Sequence, residues 1–306
     1  EQMAIADAES RGVSTQGATA YVTLEPCNHF GRTPPCTEAL LWAGVSKVVI
    51  GALDPNPTVR GGGVEALRKG GIDVEIGLLG DKCSSQMQQF MHWCRHRRPL
   101  VTLKASTDSN GRIDGDPSEP PRRFSSEESL DLAQKIRADS MAILVGVQTV
   151  IRDDPSLTVR GPEIGPRSKP TRVVVDPNGR IPKQCKLMTD GEAPTLLIHS
   201  SEIDCTEDLP HIERVVIPER DIPVSRILDM LGDRGVQSLL VEGGEDTWRR
   251  FLSEGLVDRA RICVSPVDLG DSGKVFSKHY LEQCGLSISA TIHSSGDEIE
   301  WWIKNS

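Results

Sequence analysis

Thr23-Leu24-Glu25-Pro26-Cys27 and Gly31-Arg32-Thr33-Pro34-Pro35-Cys36 belong to one proline-rich stretch, and its reading organises the first part of the fold. Ala18 to Leu24, ahead of it, is a β-rich run, and Thr37 to Ala43, behind it, reads as a helix stopped by Gly44. Cys27 then follows a strand and Cys36 stands at a helix start, where exposed amides and the dipole favour a thiolate. Two thiolates on one loop are candidate metal ligands of the kind zinc prefers. Outward from the loop, residues 1–11 read as a helix, Lys47 to Ala52 as a buried strand, Val64 to Lys69 as a helix with a Gly70-Gly71 stop, and Ile72 to Ile76 as a third strand. Asp54-Pro55-Asn56-Pro57 is a turn. Alternating helices and strands predict an α/β unit with a mainly parallel sheet in three layers, ligands lying beyond the carboxyl ends of the strands.

Composition narrows the classes. A chain of 306 residues predicts two domains. Hydrophobic residues at 37% and charged residues at 26% fit a globular protein, and no apolar run reaches the ~20 residues of a membrane span. No secretory apolar segment is visible, although the chain opens on Glu1 rather than Met. A net charge of -9 argues against a nucleic-acid partner and for a free small-molecule substrate. The eight cysteines follow no framework spacing and read as reduced thiols apart from Cys27 and Cys36.

The run His92-Trp93-Cys94-Arg95-His96-Arg97-Arg98-Pro99 reads as a basic connector, which places the domains at 1–98 and 99–306. A strand from Leu100 to Ala105 then leads to the turn Asp108-Ser109-Asn110-Gly111. The segment around Ile136-Arg137-Ala138-Asp139 reads as a helix end. It is followed by a buried strand (Ala142 to Val145), a short helix carrying Thr149, and the acidic turn Asp153-Asp154-Pro155, which opens into Ser156-Leu157-Thr158-Val159-Arg160. Thr171 to Asp176, Thr195 to Ser200 and Ser238 to Glu242 read as further strands. The last ends at Gly243-Gly244 before the helix Thr247 to Glu254, a turn that can bring amides close to a phosphate. Arg261 to Val264 is a strand, and Trp301-Trp302 reads as a packed terminal strand.

The Cys27–Cys36 stretch resembles the deaminase half of the bifunctional riboflavin-biosynthesis deaminase/reductase family. Zinc deaminases of nucleobase-like rings use a Pro-Cys, a second Cys and a His two residues before a catalytic Glu. Their usual gap between the cysteines is two residues; the wider gap filled by GRTPP is characteristic of this family. The resemblance implies a cytidine-deaminase-like domain followed by a dihydrofolate-reductase-like α/β domain. Glu1 then stands at the catalytic Glu, and the third zinc ligand is a His expected upstream of residue 1, outside the sequence; with two cysteines alone, zinc binding is expected to be weak. Asn28, His29 and Arg32 fall in the substrate loop. Two other readings stand beside these: Glu1 as a plain helix-start carboxylate, and His29 as an exposed loop residue or a substitute ligand.

The segment from Ile136 to Arg160 carries the resemblance to the reductase half. It implies that Arg137, Leu157, Arg160 and Glu242 contact the substrate, with both arginines on its phosphate, and that Thr149, Asp153 and Gly244 contact NADPH. Taken singly, Arg137 reads as a helix C-terminal cation and Asp153-Asp154-Pro155 as a plain turn. The chain departs from the family at Pro121, where a small polar residue is usual, and at Arg123, where an aromatic is usual.

The implied function is zinc-dependent deamination of a phosphoribosylated diaminopyrimidine, then NADPH-dependent reduction of its ribose to ribityl. Hydride transfer needs no protein nucleophile; the protein holds the nicotinamide against the ribosylamino carbon. The alternatives are a chain with one live activity, or a non-enzymatic binder of a phosphoribosylated ligand. The resemblance further implies a homo-oligomer formed through the reductase domain, no nucleic-acid or membrane partner, and a cytoplasmic location in bacteria or a plastid one in plants and algae.

Overall fold

The computed structural model describes residues 1–30, 34–56, 62–161, 169–201 and 209–305. They divide into two compact units, Glu1–Arg97 and Arg98–Ser306.

The first unit runs α1 (Gln2–Ser10), β1 (Thr19–Leu24), α2 (Cys36–Trp42), β2 (Lys47–Ala52), α3 (Gly62–Lys69), β3 (Asp73–Ile76), α4 (Gly80–Gln86) and α5 (Gln88–His96). Its three strands are parallel in the order β1-β2-β3, with Thr19 opposite Lys47 and Lys47 opposite Asp73. The apolar run KVVIGA sits in the middle because both of its faces are covered. Val48 and Ile50 pack on Leu40 of α2 and Leu67 of α3. On the other face Gly51 abuts α4, where a Cβ would lie 2.3 Å from Cys83 Sγ. Each fully buried aliphatic side chain contributes roughly 1.5–3 kcal/mol. The expected basic connector is corrected here. His92 to His96 lie in α5, whose Cys94 is buried, and only Arg97, in the left-handed region at φ 57°, ends the helix before Pro99. The charges at 92–98 hid an amphipathic face.

The second unit begins with β4 (Leu100–Thr107), α6 (Glu127–Ala138), β5 (Ala142–Gly146), α7 (Val147–Asp153), β6 (Thr171–Val175), α8 (Lys186–Thr189) and β7 (Thr195–His199). It continues with β8 (Ile212–Val216), α9 (Val224–Asp233), β9 (Ser238–Val241), α10 (Glu245–Ser253), β10 (Arg259–Val264), α11 (His279–Gln283), β11 (Leu286–Ser294) and β12 (Asp297–Lys304). Nine strands form one sheet in the order β11-β12-β10-β4-β9-β5-β6-β7-β8, parallel from β10 to β8. Strict alternation sorts the strand residues. Leu103, Leu144, Val173 and Leu239 meet Leu228 of α9 and Phe251 of α10 in one core. Ile143, Val174, Leu197 and Leu240 meet Val150 of α7 and Leu187 of α8 in the other. Two-sided burial explains the continuous apolar runs of β5, β6 and β7. The antiparallel pair β11–β12 turns at Ser295 (φ 48°) and Gly296 (φ 88°), consecutive positive-φ residues of the kind a tight hairpin requires. Trp302 is buried in this hairpin, as expected of a packed terminal strand. No helix among the described residues is long and apolar enough to cross a membrane.

Candidate functional sites

In the first unit the metal loop is fastened from several sides. Glu25, buried beside Cys27, accepts hydrogen bonds from the amides of Gly63 (3.0 Å), Val64 (3.1 Å) and Asp54 (3.2 Å). The fit against α3 is close: a Cβ on Gly63 would stand 2.0 Å from the carbonyl oxygen of Pro26. Thr37 closes the loop, its amide donating to Cys27 O (3.2 Å) and its hydroxyl to Asn28 Oδ1 (2.8 Å). Cys36 N donates to Cys27 Sγ at 3.4 Å, so the two sulfurs share one corner.

Glu1 belongs to that corner. Burial, hydrogen bonding to Cys27 and the nearby Glu1 carboxylate push the Cys36 thiol up to about 12. Two thiols and a carboxylate thus crowd one another, an arrangement that a bound cation relieves by taking the charge of the thiolates. The donors suit zinc, although among the described residues no cluster of three or more His, Cys, Asp and Glu is arranged to hold a metal. His29 is exposed and joins neither cysteine in the described contacts, and Arg32 lies outside the described residues.

In the second unit a cavity of about 1180 Å³ opens beyond the carboxyl ends of β4, β5 and β9. That volume exceeds what one small ligand fills, so a dinucleotide and a substrate can share it. In the register Leu103 and Leu144 both lie opposite Val241, the last residue of β9, and β4 and β5 run on past it to Thr107 and Gly146. Glu242 follows β9 and receives both arms of the Arg137 fork, with Nε to Oε1 at 2.9 Å and Nη2 to Oε2 at 2.5 Å. Arg137 Nη1 donates to Thr158 O (3.3 Å). Burial alone would raise the Glu242 carboxyl, but Arg137, with help from Lys104, outweighs it and holds the group below the ordinary range. The expectation that Arg137 faces a phosphate is thus modified: its fork is already engaged by a carboxylate.

Arg160, Leu157, Thr149, Asp153 and Gly244 line the same cavity. The Leu157 side chain is buried in the core beneath it. Asp154 (φ 39°) and Leu157 (φ 48°) adopt the left-handed region that non-glycine residues avoid. Lys186 N, donating to Asp154 Oδ1 (2.8 Å), and the buried Arg172, donating to Ser156 O (3.3 Å), hold that segment. Such strain gathers where a site must be preformed. Partial desolvation, reinforced by Asp114 and opposed by Arg152, raises the Asp153 carboxyl, although its side chain still reaches solvent.

Two glycines let the cavity wall pack tightly. A Cβ on Gly243 would stand 2.5 Å from Thr247 Cβ, and one on Gly146 2.8 Å from Thr247 Oγ1. The backbone of two turns thereby closes on Thr247 in the first turn of α10, a turn that also carries Glu245 and Asp246. Sequence reasoning missed Lys104. It shares one face of β4 with Ser106, to which its Nζ donates at 2.9 Å, and both line the cavity. Burial, with Arg137 nearby, lowers its ammonium below the ordinary range, partly against Glu242. A lone lysine inside the apolar run LVTLKAST was the available signal.

Comparison with known proteins decides the family. Residues 99–294 match the model of the RibD C-terminal domain, and residues 1–52 that of the cytidine and deoxycytidylate deaminase zinc-binding region. The chain is 38% identical to the riboflavin biosynthesis protein RibD of Aquifex aeolicus over 89% of this chain and 74% of that one. The chain belongs to the RibD family. The RibD of Escherichia coli is 35% identical over 86% of this chain and 74% of its own. The solved deaminase/reductase of Thermotoga maritima superposes with a TM-score of 0.84 at 30% identity, covering 98% of this chain and 83% of that one. RibD proteins join a zinc deaminase to a reductase in one chain, and both expected domain types are present here in that order. The zinc-site donors and the dinucleotide cavity fit the cofactors of those two domains, Zn²⁺ and NADPH. The riboflavin biosynthesis reductase Rib7 of Saccharomyces cerevisiae, at 18% identity and a TM-score of 0.54, shares the fold of the second unit.

Proposed function

We propose that residues 1–98 deaminate a phosphoribosylated diaminopyrimidine and residues 99–306 reduce its ribose to ribityl, two consecutive steps of riboflavin biosynthesis. The observation that carries this reading is the presence of both sites in one chain: the Cys27–Cys36 corner with Glu1, and the cavity lined by Thr149, Asp153, Glu242 and Gly244. A chain with one live activity, or a mere binder, accounts for only one of these.

When bound, zinc supplies a Lewis acid and NADPH supplies the reducing hydride. In the first step water replaces the ring amine, one water is consumed and one ammonia leaves. Glu1 takes the proton from the attacking water and passes it to the departing amine. Asn28, His29 and Arg32 hold the ring and its ribose phosphate. Glu25 keeps the loop rigid, since three amides fix its carboxylate. In the second step Glu242, oriented by Arg137, binds the substrate beside Leu157, and Arg160 meets its phosphate. Thr149, Asp153 and Gly244 seat the cofactor. Lys104, whose ammonium burial holds below its ordinary range, can give up or take a proton at the ribosyl oxygen as the ring opens.

A homo-oligomer through the second unit is part of the proposal, supported by the edge strand β11, where Ile288 and Ile292 are about half exposed. The proposal has a free small molecule as substrate, neither nucleic acid nor membrane as partner, and a cytoplasmic location in a bacterial source.

Thr149→Val tests the cofactor assignment. Loss of one hydrogen bond worth about 1–1.5 kcal/mol is expected to raise KM for NADPH by roughly tenfold, with ammonia release unchanged. An unchanged KM for NADPH would remove Thr149 from the cofactor site.

A further inference from the structure

The charges around the reductase cavity are mostly paired. Arg137 meets Glu242, Arg152 meets Asp114, Lys186 meets Asp154, and Lys274 meets Asp246. Arg122 and Arg123 differ. Both line the cavity and both are exposed, and neither has a carboxylate partner among the described residues; Arg160 and Lys169, elsewhere on the lining, share that lack, but Arg122 and Arg123 are neighbours in the sequence.

The segment that carries them is held at both ends. On one side Arg152 of α7 grips Asp114 (Nε to Oδ2, 2.9 Å; Nη2 to Oδ1, 3.3 Å). The same guanidinium donates to the carbonyls of Asp116 (3.3 Å), Pro117 (3.1 Å) and Glu119 (2.6 Å). Behind it Gly273 fits against Asp114, whose carbonyl oxygen occupies the place of a Cβ at 1.8 Å. On the other side Ser265 Oγ donates to Phe124 O (2.9 Å), and Ser126 N donates to Asp297 Oδ2 (2.8 Å). The nearest fixed points, Glu119 and Phe124, leave a short bridge of four residues, and Pro121 stiffens its middle.

We infer that Arg122 and Arg123 form an anion subsite at the cavity mouth that takes a phosphate of a bound ligand. Each unpaired guanidinium offers a planar fork of N–H donors matched to phosphate oxygens. A chain of net charge -9 repels phosphorylated ligands at a distance, so a local cation pair at the entrance both counters that field and gives the incoming phosphate its first contact. Arg152, already engaged, acts as the positioning residue that keeps the pair over the cavity. The inference rests on the reading of this cavity as the reductase site.

The experiment compares wild type with Arg122→Ala/Arg123→Ala by calorimetry at several salt concentrations. The probes are 2′,5′-ADP for the cofactor half and ribose 5-phosphate for the substrate half, and circular dichroism confirms the fold. The expected result is a tenfold or greater loss of affinity for one probe, with a weaker salt dependence for that probe alone. The probe affected identifies which ligand's phosphate is held. Unchanged affinity and salt dependence for both probes would overturn the subsite. If wild type binds neither probe, the reductase reading of the cavity itself fails, and the subsite with it.

Discussion

Cys27→Ser, made in the full-length protein, is expected to lose bound zinc and to slow ammonia release by at least about 10³-fold. A serine oxygen is a poor replacement for a thiolate at zinc. The ion contributes several kcal/mol to the chemical step, and each 1.4 kcal/mol is a factor of ten. Reduction of an already deaminated substrate is expected to proceed at the wild-type rate, because Cys27 and the NADPH cavity belong to separate units. Zinc content by mass spectrometry and the two assays check the outcome. Normal ammonia release in the variant would remove Cys27 from the chemistry. The two cysteines share one corner, so Cys36→Ser should behave alike: its thiol, pushed up to about 12 without metal, becomes a thiolate at neutral pH only when a cation takes its charge.

The second large effect lies at Arg137 and Glu242. Arg137→Met leaves a carboxylate that is 9% exposed without its partner, and removing one member of a buried pair costs about 3–5 kcal/mol. Reductase activity should fall with it, because Glu242 then loses its orientation. Arg137→Met/Glu242→Met removes both charges and should recover most of the stability while leaving the reductase dead. A double variant that regains reduction would mean the pair only supports the fold. The sign of the pH effect follows from the Glu242 shift. Its folded carboxyl lies below the unfolded value near 4.3, so the pair stabilises fully above that value. Its contribution is lost as pH falls through the folded value, and this acid limb should be absent from melting curves of the double variant.

Much of this was legible in local pattern. KVVIGA, AILVG and TRVVV are apolar on both faces, which only a covered parallel strand permits, and all three are such strands. The Pro-Cys loop announced its metal chemistry through residue type and spacing. What stayed hidden depended on partners distant in sequence or on faces masked by charge. The Arg137–Glu242 pair spans 105 positions, and nothing local tells an arginine near a helix end that its fork is taken. The helix α5, QQFMHWCRH, buries little and presents basic residues, so its period was lost in its charge. Strand β11, LSISATIHS, carries the period-2 alternation of a strand, which sequence reasoning passed over, and exposes most of its residues. Lys104 looked like an interruption of β4, and its significance lies in Arg137, Glu242 and Ser106, which only the fold brings to it.

The most direct test of two active sites in one chain is a count of products from the full-length protein, supplied with zinc, NADPH and the phosphoribosylated diaminopyrimidine. One ammonia released and one NADPH oxidised per substrate consumed is the predicted result, with ammonia release preceding oxidation. Ammonia without NADPH oxidation, or no ammonia at all, would contradict it.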